Sequence, residues 1–148
     1  MSRLIASGLL ALALAAAVAL PAAPCLRGPG GLHLAAIVYA GGSVVCHQRA
    51  DRSLSVCGRT WPVCGRCSGL YLGAAAGAVL ALAGVGWRGS RRHWQRRLLW
   101  AAAPTAVSWI GEMAGLGDPG TPLRLALAVP LGLMTAMWLA EVARGHLR

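Results

Sequence analysis

The sequence predicts an all-α fold: a small polytopic helical membrane protein with three to four transmembrane helices plus one short apolar segment. Three observations carry that expectation. Hydrophobic residues make up 57% of the 148 positions, and the mean hydropathy is +0.60. Charged residues reach only 12%, against about 25% in a typical soluble domain. The apolar residues fall in runs close to the ~20 residues that a helix needs to cross a bilayer, and arginines punctuate them. The chain is read as a single integral membrane domain, 1–148, with a polar Cys/His loop at 46–66.

The net charge of +10 comes from 14 basic residues, all arginine, against Asp51, Glu112, Asp118 and Glu141. In a soluble protein such an excess would suggest nucleic acid. Here the arginines lie between apolar runs, where they set topology and meet lipid headgroups, so a bilayer and no nucleic acid is the expected partner. The exclusive use of arginine with abundant Ala, Gly and Leu fits a GC-rich bacterial genome.

The first run, Leu4 to Leu20, follows Arg3 and ends at Pro21–Pro24. A retained first helix is the preferred reading, because the run approaches a bilayer's thickness and further spans follow; a cleaved signal peptide is the alternative. Cys25 is read as an unpaired thiol whose replacement should be neutral. Leu32 to Val45, about 14 residues with His33 near its start, lies where a re-entrant or interfacial segment competes with a span.

The second long span is placed from Val63 through Trp87. Its Gly69, Gly73 and Gly77 stand four apart on one helical face, a spacing that lets helices approach closely in lipid. Packing within the chain is the first reading; a homo-oligomer or a membrane partner joined through these glycines is the second. Arg88, Arg91, Arg92, Arg96 and Arg97 follow, flanked by Trp87, Trp94 and Trp100, a combination that marks a membrane–water interface. The third span is placed at Leu98–Leu116 with Pro104 inside it, and Gly117-Asp118-Pro119-Gly120 is a turn. The fourth span runs from Leu123 to Val142 and is followed by Arg144 and Arg148.

Loop 87–97 and the C-terminus fall on one side by this count, and the positive-inside rule makes that side cytoplasmic. The protein is then a multi-pass protein of the cell's inner (cytoplasmic) membrane, and the Cys46–Arg66 loop faces outward.

Cysteine carries the chemistry. Cys64-x-x-Cys67 allows two sulfurs to converge on one ion or on each other, and Cys46 with His47 completes four soft ligands of the kind zinc takes. Two rival readings stand beside zinc. One is a structural disulfide, expected in an outward-facing loop. The other is thiol–disulfide exchange, since Cys64 and Cys67 open a helix whose dipole favours thiolate, with Cys46 and Cys57 as a second pair. Quinone enters as a cofactor only under that last reading.

Spans starting at Cys67, ending near Glu112 and starting again at Arg124 bring these side chains to the membrane face that holds His47. An acid inside a span suggests function with an arginine partner. Glu112 is therefore expected to pair with Arg124 or Arg66, the alternative being a carboxylate that reaches headgroup water. His33, His93 and His146 read as interfacial or solvated residues. Tyr39 and Tyr71 read as interface anchors, although Tyr71, one turn past Cys67, is placed to line the site.

Cys46-His47-Gln48, then Arg52-Ser53, then Pro62-x-Cys64-x-Arg66-Cys67-x-Gly69-x-Tyr71-x-Gly73 resembles the signature of the prokaryotic membrane proteins grouped as domain of unknown function 2085. Glu112-Met113-Ala114-Gly115 and Arg124 continue the likeness, which covers roughly Val38 to Gly132. That family usually carries a proline just before the Arg-Ser pair, where this chain has Ala50 and Asp51. Cys25 and Cys57 lie outside the pattern, so the resemblance favours Cys46, His47, Cys64 and Cys67 as the metal set, with Gln48, Arg52, Arg66, Tyr71, Glu112 and Arg124 around it. It implies no reaction. The expected function is a Cys/His metal site at one membrane face; the alternatives are a quinone-linked membrane thiol–disulfide oxidoreductase and a structural or interaction subunit of a membrane complex.

Overall fold

A computed structural model describes residues 3–86 and 90–145, so Trp87, Arg88, His146 and Arg148 lie outside the described residues. The chain forms α1 (Arg3–Ala22), α2 (Gly28–Val45), a small hairpin of β1 (Ser55–Val56) and β2 (Arg59–Thr60), α3 (Gly65–Leu82), α4 (Arg91–Met113) and α5 (Thr121–Arg144). Leu4–Cys25, Gly65–Leu82 and Thr121–Arg144 are long and apolar enough to cross a membrane.

The centre of the fold is a parallel pair, α3 against α5. A Cβ added to Gly65, Gly69, Gly73 or Gly77 would press on the carbonyl oxygens of Thr121, Leu125, Val129 and Leu133 in turn, and one on Gly132 would press on that of Leu70. Backbone therefore meets backbone along the whole seam, the close approach that small residues permit in lipid, where dispersion rather than water release holds helices together. The glycine stripe is thus occupied by α5 within one chain. That is the first reading of Gly69, Gly73 and Gly77, packing within the chain.

Because α3 and α5 run parallel, both N-termini lie at one end of the bundle. The connecting α4 runs antiparallel to them and is tied to α5 at mid-length, where the Thr105 hydroxyl donates to the Leu127 carbonyl at 2.7 Å. The helix starts well before the expected Leu98, so its first turns carry Arg91, Arg92, Arg96 and Arg97. Trp94 among them is 1% exposed and lies under the Arg97 guanidinium, 5.3 Å from the ring centroid, rather than at the lipid surface. Trp100 is 75% exposed.

The first helix runs antiparallel to α3 and α5. Its Ser7, Leu10 and Leu14 share a cavity with Ala78, Ala81, Ala140 and Arg144 at their far ends. Its Leu20 meets Cys46 and Val63 at the near end. This last cluster decides how α2 lies. The helix leaves from the end of α1 and returns, at Cys46, to the same end of the bundle. It begins at Gly28 rather than Leu32 because Pro29 occupies the first helical turn, where its missing N–H costs nothing. Leu34, Ile37, Val44 and Val45 remain exposed along it, an apolar surface suited to the membrane interface.

The hairpin turns at Cys57-Gly58, both with positive φ (53° and 74°), as a two-residue turn requires. It folds back along α2: Tyr39 donates to the Thr60 carbonyl and Arg27 to the Cys57 carbonyl. Cys57 is joined to Cys25 by a disulfide across a sequence separation of 32. Cys25 is therefore not a free thiol, and its pairing needed the hairpin to fold back onto α1's end, which residue spacing does not reveal. In the chain-entropy picture, closing a loop of that size stabilises the fold by about 3–4 kcal/mol. Cys25→Ser or Cys57→Ser should lower the melting temperature in detergent by several degrees, with reductant shifting the parent protein to the same value. Equal melting with and without reductant would contradict it.

Candidate functional site

Three sulfurs converge where α2, the loop and α3 meet. Cys46 is the residue directly after α2, Cys64 is the N-cap of α3, and Cys67 lies in its first turn. All three are free thiols, and their Sγ atoms lie within 4.8 Å of one another. The local backbone aims hydrogen-bond donors at sulfur. The Cys64 N–H donates to Cys46 Sγ at 3.1 Å. The Cys67 thiol donates to Cys64, joined by the backbone N–H groups of Cys67 and Arg66 and by the Cys46 thiol; together, and against the effect of burial, they hold the Cys64 thiol far below its ordinary range, at about 5. Donors around sulfur favour thiolate, the form that binds metals and attacks disulfides. The parallel α3 and α5 add the positive ends of two helix dipoles at the same place.

Gln48 explains how Cys46 reaches this position. With φ 47° it turns the chain sharply, and its side-chain amide donates to the carbonyls of Tyr39 and Pro62, both at 2.7 Å. It so clamps the second half of α2 to the loop that precedes Cys64. Gly42 faces the same clamp, and any Cβ there would collide with the Pro62 carbonyl. Tyr71 packs half-buried against the cysteine cluster.

His47 does not join the sulfurs. It is exposed and stands on the wall of the pocket into which the cluster opens, so the expected four-ligand set is three cysteines with the histidine at the rim. The neighbouring residues cannot point the same way on this backbone: Cys46 turns inward into the core, and His47 turns outward.

The pocket, about 370 Å³, is lined by Cys46, Cys64 and Cys67 on one side and by Arg49, Arg52, Arg66 and Arg124 on the other. Its charge is organised around a single acid. Glu112, at the end of α4, with only 11% of its side chain exposed, accepts from Arg66 Nη2 and from Arg124 Nε, the latter at 3.0 Å, and lies 3.9 Å from Arg52 Nη1. Both expected partners are thus real and simultaneous, and a third arginine joins them. Arg124, 2% exposed, also pairs with Asp118 at 2.9 Å, and Arg66 donates to the Ser108 hydroxyl at 3.1 Å.

Sequence reasoning placed Asp118 and Arg49 at this end of the molecule but did not count them, Ser108 or Trp109 among the site residues. The turn signal at 117–120 concealed the first. A weak helical signal was present for Ser108, four residues before Glu112 and hence on the same face.

Fold and site define a class: a small all-α membrane protein that gathers a cysteine cluster and a buried arginine–glutamate network at one end of its helices. The chain belongs to the family described as predicted membrane protein, domain of unknown function 2085, which it matches over residues 46–138, the segment that supplies every one of those side chains. An uncharacterised protein of Methanothermobacter thermautotrophicus is 29% identical over 94 residues, covering 63% of this chain and 82% of its own. No solved structure matches the chain.

Proposed function

We propose that this protein holds one zinc ion on Cys46, Cys64 and Cys67 at the extracytoplasmic face of the cell's inner membrane. The observation that carries the reading is the convergence of three thiols from two separate segments, with backbone N–H groups already directed at two of the sulfurs. A simple disulfide would use two of them and leave the third without a purpose. Zinc favours four ligands and takes thiolate readily, so three cysteines leave one position facing the pocket for water or a bound ligand. An open fourth position is the pattern of a zinc that acts on something rather than one that only braces a fold.

Thiol–disulfide exchange is supported by the low pKa of Cys64 but loses Cys57 as its shuttle partner, because that sulfur is joined to Cys25. The same disulfide supports an extracytoplasmic loop, since such bonds persist in oxidising compartments. The parallel placement of α3 and α5 also gathers the cysteine loop and Asp118 at one end and the α4 arginines at the other, which agrees with the positive-inside orientation.

Elemental analysis of protein purified in mild detergent should find about one zinc per chain. Cys64→Ser and Cys67→Ser should each abolish it, whereas Cys57→Ser should leave it in place. Protein that carries no metal and has Cys64 and Cys67 joined would replace this reading with the redox one.

A further inference from the structure

Beside the sulfurs, the pocket wall carries Arg49, Arg52, Arg66 and Arg124, whose acidic partners are Asp51, Glu112 and Asp118, so one positive charge is left over. Arg66 Nε and Arg124 Nη1 are buried without a hydrogen-bond partner, and Arg52 Nε is buried with no hydrogen bond and only an ion-pair contact to Asp51 Oδ2 at 3.7 Å. Arg124 is the most telling of the three, because it is 2% exposed, and a guanidinium removed from water with a donor left unpaired is costly unless something occupies that direction. These arginines share Glu112, with the exposed Asp118 as a further partner of Arg124 and the exposed Asp51 as a further partner of Arg52. Arg49 adds a fourth cation on the same wall, and the acid it pairs with, Asp51, is exposed. The N-termini of α3 and α5 point their positive ends at the same region.

We propose that this pocket binds an oxyanion of the phosphate class, held by Arg52, Arg66 and Arg124. Phosphate fits because its oxygens accept several N–H donors at once and its size is small beside a pocket of about 370 Å³. Val45 and Trp109, 58% and 54% exposed, also line the pocket. Apolar groups beside a phosphate-sized cluster of donors, at a membrane surface, suit a phospholipid headgroup whose chains lie along them; free phosphate uses the same arginines without that edge. The inference goes beyond the zinc reading, since it rests on guanidinium donors and not on sulfur.

The test uses the full chain in a non-ionic detergent, with inorganic phosphate and dihexanoyl phosphatidic acid as probes and sodium chloride at matched ionic strength as control. Binding is followed by phosphorus NMR line broadening and by melting temperature, with zinc content measured on the same samples. Phosphate should bind and raise the melting temperature where chloride does not. Arg52→Gln, which alters the most exposed of the three arginines, should weaken binding at least tenfold while the protein stays folded. Arg124→Gln should abolish binding, and the Arg52 variant keeps the test decisive should that protein fail to fold.

Phosphatidic acid binding tenfold or more tightly than phosphate, with Trp109→Ala removing the difference, assigns the site to lipid; equal affinities assign it to free phosphate. Equal effects of chloride and phosphate, or phosphate binding unchanged in Arg52→Gln, overturn the proposal. Neither result touches the zinc reading, which the metal content reports separately.

Discussion

Glu112→Gln should lower the melting temperature of the purified protein more than the loss of any one arginine around it. Removing one partner of a buried ion pair costs about 3–5 kcal/mol, chiefly because a desolvated charge is left unpaired. Here a single carboxylate serves Arg52, Arg66 and Arg124, so its loss leaves three guanidinium groups facing one another. Removing any one arginine still leaves Glu112 with the other two, which limits that cost, although the loss of Arg124 also takes a partner from Asp118. Glu112→Gln with Arg124→Gln should recover part of the loss but not all of it, since Arg66 and Arg52 remain. A double-mutant cycle in detergent reads this as coupling that independent sites lack. Additive losses would mean that Glu112 is solvated.

The second large effect is expected in the seam between α3 and α5. Gly73→Val and Gly132→Val each place side-chain atoms where the facing helix has its own backbone: a Cβ at Gly73 meets the Val129 carbonyl and the Leu133 amide, and one at Gly132 meets the Leu70 carbonyl and the Ala74 amide. Neither neighbour is a flexible side chain, so the helices must separate. Overpacking a well-packed interior costs about 1–3 kcal/mol, and a rigid backbone neighbour places these changes at or above the top of that range. Separation would also spread the N-termini that carry Cys67 and Arg124, so bound zinc should fall together with stability. Gly41→Ala is the control. It has open space around it and gains helix propensity, so it should melt at or slightly above the parent temperature. Normal melting of both valine variants would show that α3 and α5 are not packed this way.

Much of this was legible in the letters because it depends on local or one-dimensional facts. Apolar runs of about 20 residues set the helical class, since a single segment that long satisfies its own polar groups in lipid as a helix, whereas a barrel strand is shorter and alternating. Counting spans was enough to place Cys67, Glu112 and Arg124 at one end, and the four-residue glycine spacing marked the contact face of α3. Helix ends were less well served. α3 stops at Leu82 rather than Trp87, and α4 begins among arginines, because helix termini respond to caps and headgroups more than to hydropathy.

What the tertiary structure alone decided concerns direction and partner. The glycines meet α5 because α4 returns the chain so that α3 and α5 run parallel, a result of connection and packing that no single helix encodes. Cys25 finds Cys57 because the hairpin folds back along α2. His47 leaves the sulfur cluster because adjacent side chains on an extended turn point in opposite directions. Glu112 gains three arginines instead of one because Arg52 comes from the loop, Arg66 from α3 and Arg124 from α5. Composition shows that an acid in lipid needs a cation; only the meeting of three segments in space determines how many it receives, and which donors are left over to face the pocket.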